Sequence, residues 1–180
     1  QFDYLAPDTP YHENLTRLIG SADAVLVTSD HIRATVEPLN PRVLPHNNTI
    51  PDDRLPEKVH PRGGGQVKIG YAGSGYRIEE FRQIWEALVR ISQEYKDRVA
   101  FEFWGLDVSS LPPLDSPVVQ KPFTFSYFHY LDRLQAANFD ILLTPMLDKP
   151  RPRLGKSLIK YYETAAAGAL GIFSAVPQYC

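Results

Sequence analysis

The sequence is poor in the residues that build disulfide frameworks and metal sites. It has one cysteine, Cys180, among 180 residues, so neither a disulfide framework nor a thiolate metal site is available. Its five histidines have no partner at i+4, and no Asp-x-Asp motif occurs. A Gly-x-Ser-x-Gly nucleophile motif is also missing. These absences predict a site without a metal ion and without a serine nucleophile.

Long apolar runs and an excess of charge are missing as well. No apolar run approaches the ~18–20 residues of a membrane span, and no signal peptide opens the chain. The net charge of −2 argues against a general nucleic-acid binder, and it makes any anion site a local feature. We therefore expect a cytoplasmic protein without a nucleic-acid partner. Because the chain begins without methionine, we also expect it to be part of a longer protein.

What is present is typical of a globular α/β protein. Strand and helix patterns alternate along the chain, with strands predicted at 22–28, 42–45, 67–73, 99–104, near 118–119, at 141–144 and at 170–174, and helices at 13–19, 30–37, 78–96, 125–137 and 156–167. This alternation predicts a parallel sheet with helices on both faces. Residues 51–66, rich in Pro, Asp, Lys and Gly, predict a linker between two domains. Ligands of such sheets gather at the carboxyl ends of the strands.

A basic segment follows the predicted strand 141–144. Residues 149–160 contain five cations and no acid: Lys149, Arg151, Arg153, Lys156 and Lys160. Gly155, Lys156 and Ser157 would open the next helix, where backbone N–H groups and ammonium groups could hold an anion. On that helix Lys156, Lys160 and Glu163 would share one face. The alternative is a solvated basic loop, with Lys160 and Glu163 paired at i, i+3.

A second glycine-rich turn, Gly73-Ser74-Gly75, follows the predicted strand 67–73. Its spacing matches neither the dinucleotide fingerprint nor the phosphate-binding P-loop, and glycine is needed there merely to turn. A phosphate contact of Ser74 and a structural turn therefore both stay open. Arg77 could reach the same edge of the sheet or be solvated.

Five aromatic residues are concentrated just before and within the predicted helix 125–137. They are Phe123, Phe125, Tyr127, Phe128 and Tyr130. A face for a nucleobase, with Phe123 as the candidate residue, is one interpretation. Packing against the sheet is the commoner explanation, with Phe128, Leu131 and Leu134 turned inward.

Several segments, taken in order, are similar to one enzyme family. They are ADAVLVTS at 22–29, VLPHN at 43–47, IGYAGS at 69–74, DILLTP at 140–145 and KSLIKYYETAAAG at 156–168. Over residues 20–179 the chain resembles the group 1 glycosyltransferases. The resemblance implies half of a GT-B architecture with a Rossmann-like parallel sheet. Residues 1–50 would then be the tail of the N-terminal, acceptor-side domain, and 67–180 a truncated C-terminal domain that binds a nucleotide-sugar.

The resemblance also implies roles for individual residues. Glu163 matches the family's second conserved glutamate, which holds the ribose of the donor nucleotide. Gly155, Lys156 and Ser157 match the helix start that meets the donor diphosphate. Two departures stand out: Ser74 replaces an arginine of many relatives, and Gly155 stands where the family's first glutamate belongs. A divergent site in which Lys156, Lys160, Arg153 or Arg77 holds the phosphates would accommodate both departures.

The implied activity is sugar transfer from a nucleotide-diphosphate sugar, without a metal or cofactor and with retention of configuration. The acceptor could be a glycan, a lipid-linked molecule or a small molecule. An N-terminal domain could contact a membrane peripherally. We expect the chain alone to turn over little or not at all. Two alternatives remain, a GT-B-like sugar-nucleotide epimerase and a non-catalytic α/β module that binds an anion or a protein partner.

Overall fold

The chain forms two compact units. The computed structural model describes residues 11–55, 65–147, 155–176 and 179. Unit 1 contains the chain up to residue 49 together with the described parts of 146–159 and 175–180, and unit 2 contains 50–145 and 160–174. The functional division into residues 1–50, a linker at 51–66 and a donor domain at 67–180 stays a prediction.

Unit 1 alternates short helices and strands. Its elements are α1 His12–Ser21, β1 Val25–Val27, α2 Asp30–Val36 and β2 Val43–Pro45, and the two strands pair in parallel. Ser29 caps the start of α2, because its side chain accepts a hydrogen bond from the Ile32 backbone amide at 3.3 Å. Valine and isoleucine side chains of β1, α2 and β2 form its apolar core.

Unit 2 contains the predicted parallel sheet. Its elements begin with β3 Val67–Ala72, α3 Ile78–Tyr95, β4 Val99–Trp104 and β5 Val118–Lys121, and they continue with α4 Tyr127–Ala136, β6 Ile141–Thr144, α5 Ile159–Ala166 and β7 Leu170–Phe173. The five strands are all parallel in the order β5-β4-β3-β6-β7. Short 3-10 turns lie at Asp52–Arg54, Gly75–Arg77 and Lys96–Arg98.

Each face of this sheet buries its own apolar cluster. Side chains alternate between the faces along a strand. Ile69 and Tyr71 therefore pack with α3 on one face, where Phe81 is fully buried. Ala72 and Trp104 belong to the cluster on the other face, with α4. The predicted α/β architecture with helices on both faces is confirmed. None of the described helices has the length and apolarity that crossing a membrane requires.

The predicted start of the last helix is wrong. The helix α5 begins at Ile159, so Lys156 lies outside it and does not share a helical face with Lys160 and Glu163. The Ser157 hydroxyl instead accepts a hydrogen bond from the side-chain amide of Asn48 at 2.9 Å, and both residues belong to unit 1.

The predicted orientation of Phe128 is also wrong. Leu131 and Leu134 are buried as expected, but 53% of Phe128 is exposed. Its ring lies 5.3 Å from the guanidinium carbon of Arg54. A cation over an aromatic face stabilises a ring that remains partly in water. The inward face of α4 is completed by Tyr130 instead of Phe128.

Candidate functional site

The carboxyl ends of three neighbouring strands of unit 2 are joined by backbone hydrogen bonds. The amide of Gly73, which follows β3, donates to the carbonyl of Trp104 at the end of β4 at 3.2 Å. The amide of Gly105 donates in turn to the carbonyl of Lys121 at the end of β5 at 2.8 Å. The turns that follow these strands therefore lie at one edge of the sheet, as the sequence predicted.

Two glycines are required at this edge by close approach of the backbone. Gly105 has φ +68°, and a Cβ atom there would lie 2.2 Å from the carbonyl oxygen of Gly73. A Cβ at Gly75 would lie 2.7 Å from the carbonyl oxygen of Gly105. Contacts this short do not occur, so only glycine fits without moving the backbone. Glycine in the Gly73–Gly75 turn thus has a structural reason that is independent of any phosphate.

A cluster of polar side chains lies at the end of the central strand β3. The Lys160 ammonium donates to the carbonyl of Ala72 at 2.8 Å, to the Tyr130 hydroxyl at 3.1 Å and to Glu163 Oε2 at 2.6 Å. Tyr130 donates to the same Glu163 oxygen at 2.9 Å. The three side chains and the end of β3 therefore form one connected hydrogen-bond network.

This cluster contains a buried charge pair. Glu163 is 4% exposed, and the Lys160 ammonium lies 5.0 Å from the centre of the Tyr130 ring as well as against the carboxylate. The alternative of an i, i+3 pair is thus confirmed in its geometry, but the pair is largely buried and not solvated. A buried carboxylate needs such partners, because an unpaired charge in the interior is strongly destabilising.

The environment of the cluster keeps its tyrosines protonated. Burial and the Glu163 carboxylate together raise the pKa of Tyr130 well above its ordinary value. The pKa of Tyr127 is raised in the same direction by burial and by Glu163. Beside these groups, Leu142 and Leu143 of β6 help to line a small cavity with room for about one water molecule.

Other predicted site residues of unit 2 have different partners. Arg77 pairs with Glu80, which is 5% exposed, and its guanidinium carbon lies 5.2 Å from the Tyr76 ring centre. The Arg77 side chain is therefore paired and not solvated. The backbone carbonyl of Ser74 accepts a hydrogen bond from the Tyr71 hydroxyl at 3.2 Å.

The remaining candidates belong to unit 1 or are not described. Gly155, Lys156 and Ser157 are part of unit 1, with Gly155 buried and the other two half-buried. Arg153 lies outside the described residues, as do Lys149 and Arg151. Their predicted roles stay predictions.

The aromatic stretch is mostly exposed, against the expectation of core packing. The exposed fractions are 45% for Phe123, 93% for Phe125 and 37% for Tyr127. Of the five rings only Tyr130 packs inward, edge-on to Trp104 with ring centres 6.3 Å apart. Phe123 lies at the strand ends, because its side chain is among the atoms nearest to Gly105. Phe123 and Phe125 lie in the irregular segment 122–126, before α4 begins at Tyr127, so no helix face is available to bury their rings.

A second buried carboxylate was not anticipated from the sequence. Glu102, in the middle of β4, is 5% exposed, and its carboxylate lies 2.6 Å from the Lys121 ammonium and 3.4 Å from that of Lys68. The Trp104 indole N–H donates to it at 2.5 Å. A lone acid in the apolar strand VAFEFW, on the same face as Trp104, is the signal that could have found it.

Glutamine at position 102 is expected to lower the free energy of unfolding at neutral pH by about 1–3 kcal/mol, because the two lysines lose their charged partner. Burial raises the pKa of Glu102, but Lys121, Trp104 and Lys68 outweigh it and hold the pKa below its ordinary 4.5. The stabilisation is therefore present above pH 4.5 and is lost as the pH falls below it. Urea unfolding at about pH 7 and pH 3 measures both free energies. An equal difference between parent and Glu102→Gln at the two pH values would contradict this assignment.

Comparison with known proteins finds a similar fold in a solved structure. The sequence matches no protein-family profile, and no curated protein matches it by sequence. The structure is similar to the crystal structure of TarM, with a TM-score of 0.58 and 10% identity. The alignment covers 94% of this chain and 33% of TarM, so the chain spans about a third of the length of that protein. What the two share is the fold, an α/β architecture in which helices flank a Rossmann-like parallel sheet.

Proposed function

We propose that the chain is the nucleotide-sugar-binding part of a glycosyltransferase. The observation that carries this proposal is the cluster of Lys160, Glu163 and Tyr130 at the carboxyl end of β3. Parallel sheets bind ligands at this end, and a buried carboxylate beside a cation is a polar anchor suited to a nucleotide. The fold supports the proposal, since TarM is a glycosyltransferase.

In this proposal Glu163 binds the ribose hydroxyls of the donor. A carboxylate has about four acceptor positions, and hydrogen bonds from Lys160 and Tyr130 both end on Oε2. The carboxylate therefore retains acceptor capacity for two neighbouring hydroxyl groups. Hydrogen bonds to a charged acceptor are stronger than neutral ones, which suits an anchor that must compete with water.

Lys160 supplies positive charge near the departing diphosphate. All three hydrogens of its ammonium already have acceptors, so a phosphate oxygen has to replace one of them. Ser74 and Arg77 are also proposed to contact the diphosphate. Gly155, Lys156, Ser157 and Arg153 are proposed as anion-binding residues. Phe123, exposed at the strand ends, is proposed to contact the base.

The proposed reaction breaks the bond between the anomeric carbon and the donor phosphate oxygen. The electron pair leaves with the diphosphate, and a new bond forms to an acceptor hydroxyl, whose proton passes to the departing phosphate. Fixed cations stabilise the developing phosphate charge in a transition state that resembles an oxocarbenium ion. We propose that this proceeds without a metal and with retention of configuration. The acceptor would be bound mainly by parts of the protein beyond this chain.

Calorimetric titration of the chain with UDP, GDP and their sugars tests this function. We expect binding heat with at least one nucleotide and little or no transfer by the chain alone. Release of an epimerised or free sugar would favour an epimerase. Absence of heat with every nucleotide, together with binding of an acidic protein partner, would favour a non-catalytic module and overturn the proposal.

A further inference from the structure

The hydroxyl of Tyr130 lies between the two charged groups of the cluster. It is 3.1 Å from the Lys160 ammonium and 2.9 Å from Glu163 Oε2. Its distance to the Ala72 carbonyl, the other acceptor within reach, is 3.4 Å. Tyr130 thus contacts a cation, an anion and the end of β3 through one oxygen atom.

The direction of each hydrogen bond follows from counting donors and acceptors. An ammonium has only donors, so the Tyr130 oxygen accepts from Lys160. The single hydroxyl hydrogen of Tyr130 then goes to the nearer, charged Glu163 oxygen at 2.9 Å. The Ala72 carbonyl is left to accept from Lys160 at 2.8 Å. All hydrogens of the ammonium and of the hydroxyl are used in this arrangement.

The hydroxyl keeps its hydrogen under ordinary conditions. Burial and the charge of Glu163 both raise the pKa of Tyr130. The ring is held in place as well, because it packs edge-on to Trp104 and stacks with Tyr127 at a centre-to-centre distance of 6.1 Å. Tyr130 is therefore a fixed donor and acceptor, and the more flexible side chains of Lys160 and Glu163 orient on it.

We propose that Tyr130 is a positioning residue of the donor site, whose hydroxyl fixes both the Lys160 ammonium and the Glu163 carboxylate at the carboxyl end of β3. This inference rests on the proposed function, since it assumes that these two groups meet a nucleotide. It adds a residue from α4 to Lys160 and Glu163, the two candidate site residues that lie on α5. Tyr130 would not contact the ligand itself. It would act by preorganising the residues that do.

The substitution Tyr130→Phe tests this role, because it keeps the ring and removes only the hydroxyl. We expect Tyr130→Phe to bind UDP or GDP about tenfold more weakly in calorimetric titration, since both charged groups lose a fixed partner. The matched control is Tyr161→Phe on α5, where 52% of the tyrosine is exposed and the ring packs against Tyr162 and Phe173. Its affinity should stay within about twofold of the parent.

A double substitution separates positioning from general support of the fold. Because Tyr130 acts through Lys160 as well as through Glu163, Tyr130→Phe should cause a clearly smaller loss of affinity in a Lys160→Met background than in the parent. If the losses of nucleotide affinity in the two single variants multiply in the double variant, the inference is overturned. It is also overturned if Tyr130→Phe binds nucleotide as tightly as the parent does. Either result leaves the proposed function standing, provided that the parent chain binds. No heat from the parent with UDP, GDP or ADP would overturn both proposals.

Discussion

Replacing Glu163 with glutamine is expected to weaken nucleotide binding by about 10- to 100-fold. A hydrogen bond to a charged group contributes about 1.5–3 kcal/mol, and each 1.4 kcal/mol is tenfold in affinity. Glutamine keeps the shape of the side chain but removes the charge and half of its acceptor capacity. Titration with UDP and with uridine would measure the change. Because uridine has the ribose but no phosphates, it should lose affinity by a similar factor.

The control for Glu163→Gln is the same change at Glu102. Both carboxylates are almost fully buried and bonded to lysines, but Glu102 lies in the middle of β4 and not at a strand end. Glu102→Gln should therefore reduce stability and leave nucleotide affinity within about twofold. Unchanged binding of uridine by a folded Glu163→Gln protein would show that this carboxylate only neutralises Lys160. The ribose role would then be wrong.

The behaviour of Lys160 explains why its substitution is a less direct test. Its ammonium supports Glu163 electrostatically, caps the carbonyl of Ala72 and contacts Tyr130. A Lys160→Met protein would lose all three contacts at once, so its weaker binding could arise from a displaced Glu163. Glutamine at 163 removes one charge with little change of volume, and the result is easier to assign. The Lys160 variant is informative mainly as the background for Tyr130→Phe.

The fold was largely predictable because its signals are local. β4 was predicted at its observed bounds, and α3 within one residue, from apolar spacing alone. The last helix was predicted to end at residue 167; it ends at Ala166, and Gly168 follows with φ +64°. There the Ala169 amide bonds back to the carbonyl of Thr164 at 3.1 Å, which is a common helix ending.

The site was only partly predictable because its contacts are not local. Glu163 and Lys160 were selected from the sequence as a pair on one helix. Their partners lie far along the chain, since Tyr130 is 33 residues from Glu163 and Ala72 is 88 residues from Lys160. Tyr130 did carry a signal: with Leu134 and Ala137 it forms an i, i+4, i+7 apolar face, which points inward. Nothing in that spacing indicates which charged groups the hydroxyl would meet.

A non-local contact also explains why the start of α5 was predicted too early. The local pattern from Lys156 onward is helical, but Ser157 bonds to Asn48, a residue of unit 1. Helix propensity is a weak preference, and one tertiary contact can outweigh it near a terminus. The anion-binding site that was predicted at residues 155–157 therefore precedes the helix and does not form its first turn.

Alanine at Gly105 is expected to reduce the free energy of unfolding by about 2–5 kcal/mol. The positive φ of +68° costs a residue with a side chain about 1–2 kcal/mol, and forcing a methyl group into filled space costs about 1–3 kcal/mol more. The methyl would lie 2.2 Å from the carbonyl oxygen of Gly73, so the turn after β3 has to move. Urea unfolding followed by tryptophan fluorescence would report it, since Trp104 is the preceding residue.

The backbone angle alone does not make this position sensitive, because Asn138 has φ +54° in the same unit. What distinguishes Gly105 is the neighbouring strand end within van der Waals distance. Gly65→Ala is the matched control, since a Cβ there meets nothing within 4 Å and the change should cost less than about 0.5 kcal/mol. Equal stabilities of the two variants would mean that the turns after β3 and β4 yield easily. That result would argue against a rigid edge at which Ala72 holds Lys160, because Gly73 directly follows Ala72.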